Sequence, residues 1–356
     1  MLGDFEEQLR EADGQTVGRL KFISAEQLCV APTQTDWLVK SYLDSNSTSV
    51  LFGESGSMKS FVAIDLGLCA ATNSDWHGNA VRKHGPVFYI AGEGFHGISR
   101  RVRAWVIEHQ KTLDNVPFYV SDRPAQFLDK GSALDVVSGV DELRVVHGNP
   151  VLVIIDTLNR NFGPGDENST ADMTRFNSAI DEHVRTRYGC AVLIVHHSGL
   201  SNADRARGAG ALRAALDWEY RLKVNSDGTR TMQCTKSKDY EPPPDITFKP
   251  EIISVDGWVD PDDNEVVTSL VLRRTEGTSQ NRKHLAGAKK VAFDALVSIG
   301  EEYVHIDTWR DAAYSMGISP SSEKDAKRMA FKRAVSGLLD YGLVGVKDDY
   351  WWAKKT

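Results

Sequence analysis

Hydrophobic positions along the chain follow two rhythms. Runs that are apolar at nearly every position recur at Val50-Leu51-Phe52, Val87-Phe88-Tyr89-Ile90-Ala91, Val151-Leu152-Val153-Ile154-Ile155 and Cys190-Ala191-Val192-Leu193-Ile194-Val195. Such runs are expected of parallel strands covered on both faces. Helical patterns lie between them, over about 59–72, 98–110, 134–146 and 171–188, the last stopped by Gly189. Strands alternating with helices predict a doubly wound α/β domain whose ligands gather at the carboxyl ends of the strands.

The rhythm changes to period 2 further on. Trp218, Tyr220, Leu222 and Val224 alternate, Asn225-Ser226-Asp227-Gly228 turns, and Met232 and Cys234 alternate on the return, which predicts a β-hairpin. Strands over about 251–258 and 266–273, joined through Asp262-Asp263-Asn264, extend the antiparallel part. Residues 275–284 are polar throughout and read as a linker. Beyond it Leu285, Ala288, Ala292, Ala295, Leu296 and Ile299 share one helical face. Asp307 is placed to cap a short helix through Ser315, and Ser322 with Asp325 opens a longer one with Phe331, Val335, Leu338 and Leu339 as its stripe. Gly342 would end that helix, and 343–346, an Asp348-Asp349 turn and 350–353 would form the wing of a winged helix. The expected organisation is 1–274 for the α/β domain with an N-terminal extension, 275–284 for the linker and 285–356 for the winged helix. In the first 48 residues Phe22, Ile23, Leu28, Val30, Trp37, Leu38 and Leu43 are the expected packing points.

Composition adds bounds. A chain of 356 residues suits about two domains with a sizeable core. No apolar stretch approaches the roughly 20 residues that cross a bilayer. The acidic start, Met1-Leu2-Gly3-Asp4-Phe5-Glu6-Glu7, lacks the apolar region of a signal peptide, so a cytoplasmic protein is expected. Cys29, Cys69, Cys190 and Cys234 lie far apart, in neither a zinc nor a disulfide pattern. The net charge of -7 is unevenly spread. Residues 281–356 hold 13 Lys and Arg against 10 Asp and Glu, whereas the remainder holds 29 against 39. A basic appendage on an acidic engine is the reading.

The chemistry centres on Gly53-Glu54-Ser55-Gly56-Ser57-Met58-Lys59-Ser60, followed by Phe61. A glycine-rich loop between a strand and a helix cradles phosphates with its backbone N–H groups, and the helix start adds a positive dipole end. Lys59 would lie against the β- and γ-phosphates of ATP, and Ser60 would give its hydroxyl to Mg²⁺. Met58 stands where such loops have a second glycine, and it fits if its φ stays negative. Asp156, at a strand end, completes the Mg²⁺ site. Glu93, after the second strand, is the candidate general base for the attacking water. His197 can touch both the γ-phosphate and the following loop and so report the nucleotide state, whereas His196 reads as a core residue. Lys236 and Lys238, at the end of the hairpin, could project toward a neighbouring subunit's nucleotide.

With these residues assembled, 30–275 resembles RecA-like ATPases, most closely the RepA-type hexameric helicase family. The Gly53–Ser60 loop, Ala91-Gly92-Glu93, Ile155-Asp156-Thr157, Gly165-Asp166-Glu167-Asn168-Ser169, His196-His197 and the 207–213 segment carry the resemblance. It implies a homo-oligomeric ring, a hexamer, with ATP at its interfaces, a mostly parallel RecA-like sheet with an antiparallel extension, and Glu93 as catalytic residue. Asp156 would serve the metal, His197 would be the sensor, Lys236 and Lys238 would act in trans, and Arg207 or Arg213 would be the finger. Loops at about 160–169 and 198–207, with Arg160, Phe162, Arg205 and Arg207, would grip single-stranded DNA. Lys327, Arg328, Lys332 and Arg333 on the winged helix would meet duplex DNA, or that module would dock a replication protein. The reading is a 5′-to-3′ helicase or translocase of plasmid or phage-type replication, with no membrane partner. The alternatives are an ATP-switched DNA-binding regulator or recombination mediator that does not unwind, and a nucleotide-dependent signalling enzyme.

Overall fold

The parallel strands collect into one sheet that places the glycine-rich loop at its rim. The computed structural model describes residues 22, 24–29, 35–92, 95–199, 210–275, 285, 287–321, 323–340 and 343–353. Residues 1–36 and 37–356 form separate compact units. In the first, one helical turn covers Ala25–Leu28, and Phe22 is 89% exposed, so it is not the packing point that its size predicted.

In the second unit the elements are β1 (Trp37–Val39), β2 (Leu43–Asp44), β3 (Thr48–Gly53), α1 (Lys59–Ala71), β4 (Val87–Ala91), α2 (Phe95–His109), β5 (Phe118–Val120), α3 (Lys130–His147) and β6 (Leu152–Asp156). There follow α4 (Leu158–Phe162), α5 (Thr170–Ile180), β7 (Ala191–His197), α6 (Gly210–Ala215), β8 (Trp218–Val224), β9 (Arg230–Ser237), β10 (Ile246–Val259) and β11 (Val266–Thr275). The sheet order is β11-β10-β9-β8-β3-β7-β6-β4-β5. Neighbours from β8 to β5 pair in parallel, and those from β8 to β11 pair antiparallel. This is the doubly wound α/β arrangement with an antiparallel extension that the hydrophobic pattern predicts, and it is consistent with the RecA-like fold that the resemblance implies.

Alternation along each strand feeds two cores. Leu51, Ile154 and Leu193 join Leu66, Leu68 and Trp105 on the α1 and α2 side. Val50, Phe52, Val153, Ile155, Val192 and Ile194 join Val140, Phe176 and Ile180 on the other. Each fully buried aliphatic side chain stabilises by about 1.5–3 kcal/mol, so the all-apolar runs fix both register and layers. α5 continues through a π-helical turn at Asp181–Arg185 to Tyr188, and Gly189 ends it at φ 64, a left-handed value that glycine adopts freely.

Asp65 ties the helices together. It is buried in α1, where one carboxylate oxygen accepts from Trp76 Nε1 at 2.9 Å and lies 2.7 Å from His77 Nε2. Its other oxygen accepts from Trp105 Nε1 of α2 at 2.8 Å. Arg274 of β11 donates to the His77 carbonyl at 2.6 Å, and Arg273 grips Glu108 of α2 with bonds of 2.7 and 2.8 Å. The antiparallel extension is thereby fastened to the same helices as the loop.

Residues 285–353 build their own core and sheet. Here α7 (Gly287–Ile299), β12 (Val304–His305), α8 (Ile306–Ser315), α9 (Lys324–Asp340), β13 (Val344–Lys347) and β14 (Tyr350–Ala353) follow in order. The strands are arranged β12-β14-β13, over a core of Phe293, Leu296, Trp309, Phe331 and Leu338. Two expectations are corrected. His305, not Asp307, caps α8, its ring accepting the Asp307 N–H at 3.3 Å, while Asp307 sits in the first turn. Leu339 is 39% exposed and leaves the stripe. Ser322, Gly342 and 276–284 of the linker lie outside the described residues.

Candidate nucleotide site

Four strand ends reach one rim because neighbouring strands run in register. Gly53 of β3 pairs with His197 of β7, Val195 of β7 with Asp156 of β6, and Asp156 with Ala91 of β4. Ser198 N donates to the Gly53 carbonyl at 3.0 Å, and Gly92 N donates to the Asp156 carbonyl at 2.5 Å, so the loops leaving these strands begin side by side.

The loop itself is shaped by two left-handed residues, Gly56 at φ 74 and Met58 at φ 75. Met58 therefore does not keep the negative φ that its Cβ favours. A non-glycine residue in this region costs about 1–2 kcal/mol. Met58 is partly buried and packs against the α1-side core, which offsets some of that cost. The crest Glu54, Ser55 and Gly56 is exposed, whereas Ser57 and Lys59 are buried. A side chain at Gly53 would bring its Cβ to 2.4 Å from the Leu222 carbonyl oxygen, so the strand end is fitted to glycine.

Lys59 opens α1 and folds back under the loop. Its Nζ donates to the carbonyls of Gly53 at 3.0 Å and Glu54 at 2.7 Å, and lies 3.4 Å from Ser57 Oγ. Burial lowers its pKa to about 8, against the opposing pull of Asp156 and then Glu54. An ammonium held in carbonyl contacts at a helix start is a ready counter-ion for a phosphate chain. Phe61 stacks beneath Arg101 of α2, with the guanidinium carbon 4.6 Å from the ring centre.

Asp156 is 6% exposed. One of its oxygens accepts a hydrogen bond from Tyr89, and the other, Oδ1, has no hydrogen-bond partner among the described residues. A buried carboxylate oxygen left unpartnered is costly unless a cation meets it, so the site fits Mg²⁺ held by Asp156 and Ser60. The pKa of Tyr89 is raised well above the usual tyrosine value by burial and then by the Asp156 charge. Asn161, fully buried in α4, accepts from Ala125 N at 2.8 Å and donates to the Thr157 carbonyl at 2.8 Å. It holds the turn after Asp156 in place. Tyr89 and Asn161 carry no sequence signal, since one lies inside an apolar strand and the other in a polar stretch.

The remaining expected residues divide. His197 is half-buried at the rim and His196 is 1% exposed, as a core residue should be. Arg160 is exposed on α4. Phe162, the expected stacking platform, is instead 2% exposed and packs on Phe176 with ring centres 5.0 Å apart, because α4 turns its apolar residues inward. Glu93, Arg205 and Arg207 lie outside the described residues.

Arg213, Lys236 and Lys238 belong to another place. Glu219, the partner of Lys236 across β8 and β9, stands opposite Val50, three residues before Gly53. At roughly 3.3 Å per strand residue, these cations lie about 10 Å or more back along the sheet from their own loop. Arg213 Nε lies 2.8 Å from the buried Glu219 carboxylate, and Lys236 Nζ donates to the Arg213 and Leu216 carbonyls at 2.6 Å each. Lys238 Nζ is 3.3 Å from Asp217. Burial lowers the pKa of Lys236.

A family profile described as AAA domain, AAA_25, matches residues 15–203. The chain belongs to that family. The AAA match takes in the loop, Asp156 and His197, and it stops before the antiparallel extension and the tail. AAA domains of this kind are P-loop NTPases, which supports ATPase activity for the chain. No curated protein matches the chain. Among the described residues no helix is long and apolar enough to cross a membrane.

Proposed function

We propose that this AAA protein is an ATP-hydrolysing DNA helicase or translocase, built as a head-to-tail homo-oligomeric ring, a hexamer, and acting in the cytoplasm in plasmid or phage-type replication. The supporting observation is the separation of two sets of groups on one sheet. Lys59, Asp156 and His197 occupy the carboxyl rim, while Arg213, Lys236 and Lys238 lie toward the amino rim. Cations held away from their own loop are suited to a neighbour's nucleotide, and a heterologous contact of this kind repeats around a ring.

In this reading the loop from Gly53 to Phe61 holds ATP, with Lys59 on the outer phosphates. Ser60 and Asp156 hold Mg²⁺, which when bound neutralises phosphate charge. Glu93 orients water and takes its proton, and His197 relays the state of the site to the loop beyond β7. Arg160, Arg205 and Arg207 meet single-stranded DNA. Residues 285–356 act as a winged-helix domain joined by the linker at 275–284. Arg328, Lys332 and Arg333 are exposed on α9, with Lys327 half-buried beside them, and they meet duplex DNA or a replication protein.

Burial of Phe162 favours a second reading, an ATP-switched DNA-binding regulator or recombination mediator, because it removes the aromatic platform from the 160–169 loop. Strand displacement on forked DNA with ATP, run beside ATPase assays with and without single strands, separates the two. Unwinding supports the motor. DNA-stimulated hydrolysis without displacement supports the switch. Glu93→Gln should bind ATP yet not turn it over, and removal of 281–356 should leave basal ATPase while weakening duplex or partner binding.

A further inference from the structure

Tyr89 stands in an arrangement that no part of the loop explains. It lies on β4 opposite Ile154 of β6, two residues short of Asp156, and is 2% exposed. Side chains two apart on a strand share a face, and two residues advance it by roughly 6–7 Å, about the reach of a phenol ring. The ring therefore runs beside β6, and its hydroxyl arrives at the Asp156 carboxylate. One atom thus meets the buried carboxylate that would hold the cation.

We propose that Tyr89 is a positioning residue for the metal: its hydroxyl fixes one oxygen of Asp156 and so presents the remaining Asp156 oxygen to the divalent ion that accompanies ATP. The inference rests on the nucleotide-site reading above. Its physical basis is the division of labour on one carboxylate, with one oxygen committed to Tyr89 and Oδ1 left without a partner among the described residues. Hydrogen bonds that orient a metal-bound carboxylate commonly set affinity by about 10–100-fold. The ring is held by packing that does not need the hydroxyl, including Phe118 with ring centres 6.2 Å apart, so phenylalanine fills the same space.

The test compares the wild-type protein with Tyr89→Phe and Phe88→Leu, the latter on the same strand but in the opposite core. ATP binding without metal is measured by calorimetry in EDTA, and Mn²⁺ binding by the loss of its free electron-spin signal with protein in excess over ATP, so that no unbound nucleotide competes for the ion. Tyr89→Phe should bind metal-free ATP within about twofold of wild type while its Mn²⁺ affinity falls about tenfold or more. Phe88→Leu should leave both unchanged. Unchanged or tighter Mn²⁺ binding in Tyr89→Phe, or an equal loss in Phe88→Leu, would overturn the assignment. Failure of the wild-type protein to bind ATP at all would instead remove the nucleotide-site reading.

Discussion

Gly53 and His197 are register partners at the ends of β3 and β7, so the phosphate loop and the histidine strand leave the sheet from the same level. That pairing sets a side chain able to donate and accept beside the start of the loop. If the imidazole relays the nucleotide state as proposed, His197→Ala should keep ATP affinity within about threefold while losing any stimulation of hydrolysis by single strands.

Lys59→Ala removes the ammonium that the loop holds in place through the Gly53 and Glu54 carbonyls. Turnover should fall by about 10³-fold or more, a loss typical of removing a key charged group from a transition state. Far-UV circular dichroism should stay native. Near-normal hydrolysis would place the nucleotide elsewhere.

The lowered pKa of Lys59, about 8, gives a pH signature. In the unfolded chain the lysine keeps its ordinary value of 10.5, so between these two pH values the unfolded state binds more protons. Stability contributed at this site should accordingly rise as pH climbs from 8 to 10.5, the penalty on the buried charge being relieved. Binding runs the other way. With metal absent, ATP affinity should weaken by up to about tenfold per pH unit above that pKa, since binding needs the charged amine. Calorimetry in buffers of different ionisation enthalpy should show proton uptake there.

Gly92→Ala tests the close approach between β4 and the turn after Asp156. The added Cβ would meet the Arg160 Cβ at 2.5 Å, Asn161 Nδ2 at 2.9 Å and the Asp156 carbonyl at 3.0 Å. Two of those atoms belong to backbone or to a fully buried side chain, so the cost should be about 1–3 kcal/mol in urea unfolding. A neutral result would show that the turn yields.

Met58→Gly separates backbone strain from packing. Relief of the left-handed conformation is worth about 1–2 kcal/mol, while loss of a half-buried side chain takes back a similar amount. Thermal unfolding should therefore move little, unlike the clear loss expected for methionine to glycine at an ordinary helix start.

Much of this was legible in the residues. The four all-apolar runs announce central strands, and the glycine-rich loop between Phe52 and Phe61 announces what the rim is for. Short elements escaped: β1, β2, β5, α4 and α6 are too brief to develop a period. Phe162 was misplaced for that reason, since five residues give no face to read, and the φ of Met58 followed the loop's demand and not its own preference. Tyr89 was hidden because a strand covered on both faces shows the same apolar letters whichever way its hydroxyl points. The opposed placement of Lys59 and Lys236 required the register of β3, β8 and β9, which no spacing along the chain contains.

Asp65, clasped by two indoles and an imidazole six positions beyond Lys59, leaves α1 no slack. The same network runs on through Trp76 and His77 to Arg274, so the helix that opens with Lys59 is tied to β11, the edge strand of the sheet. The far edge of the sheet is thereby anchored to the helix that carries the lysine of the phosphate loop.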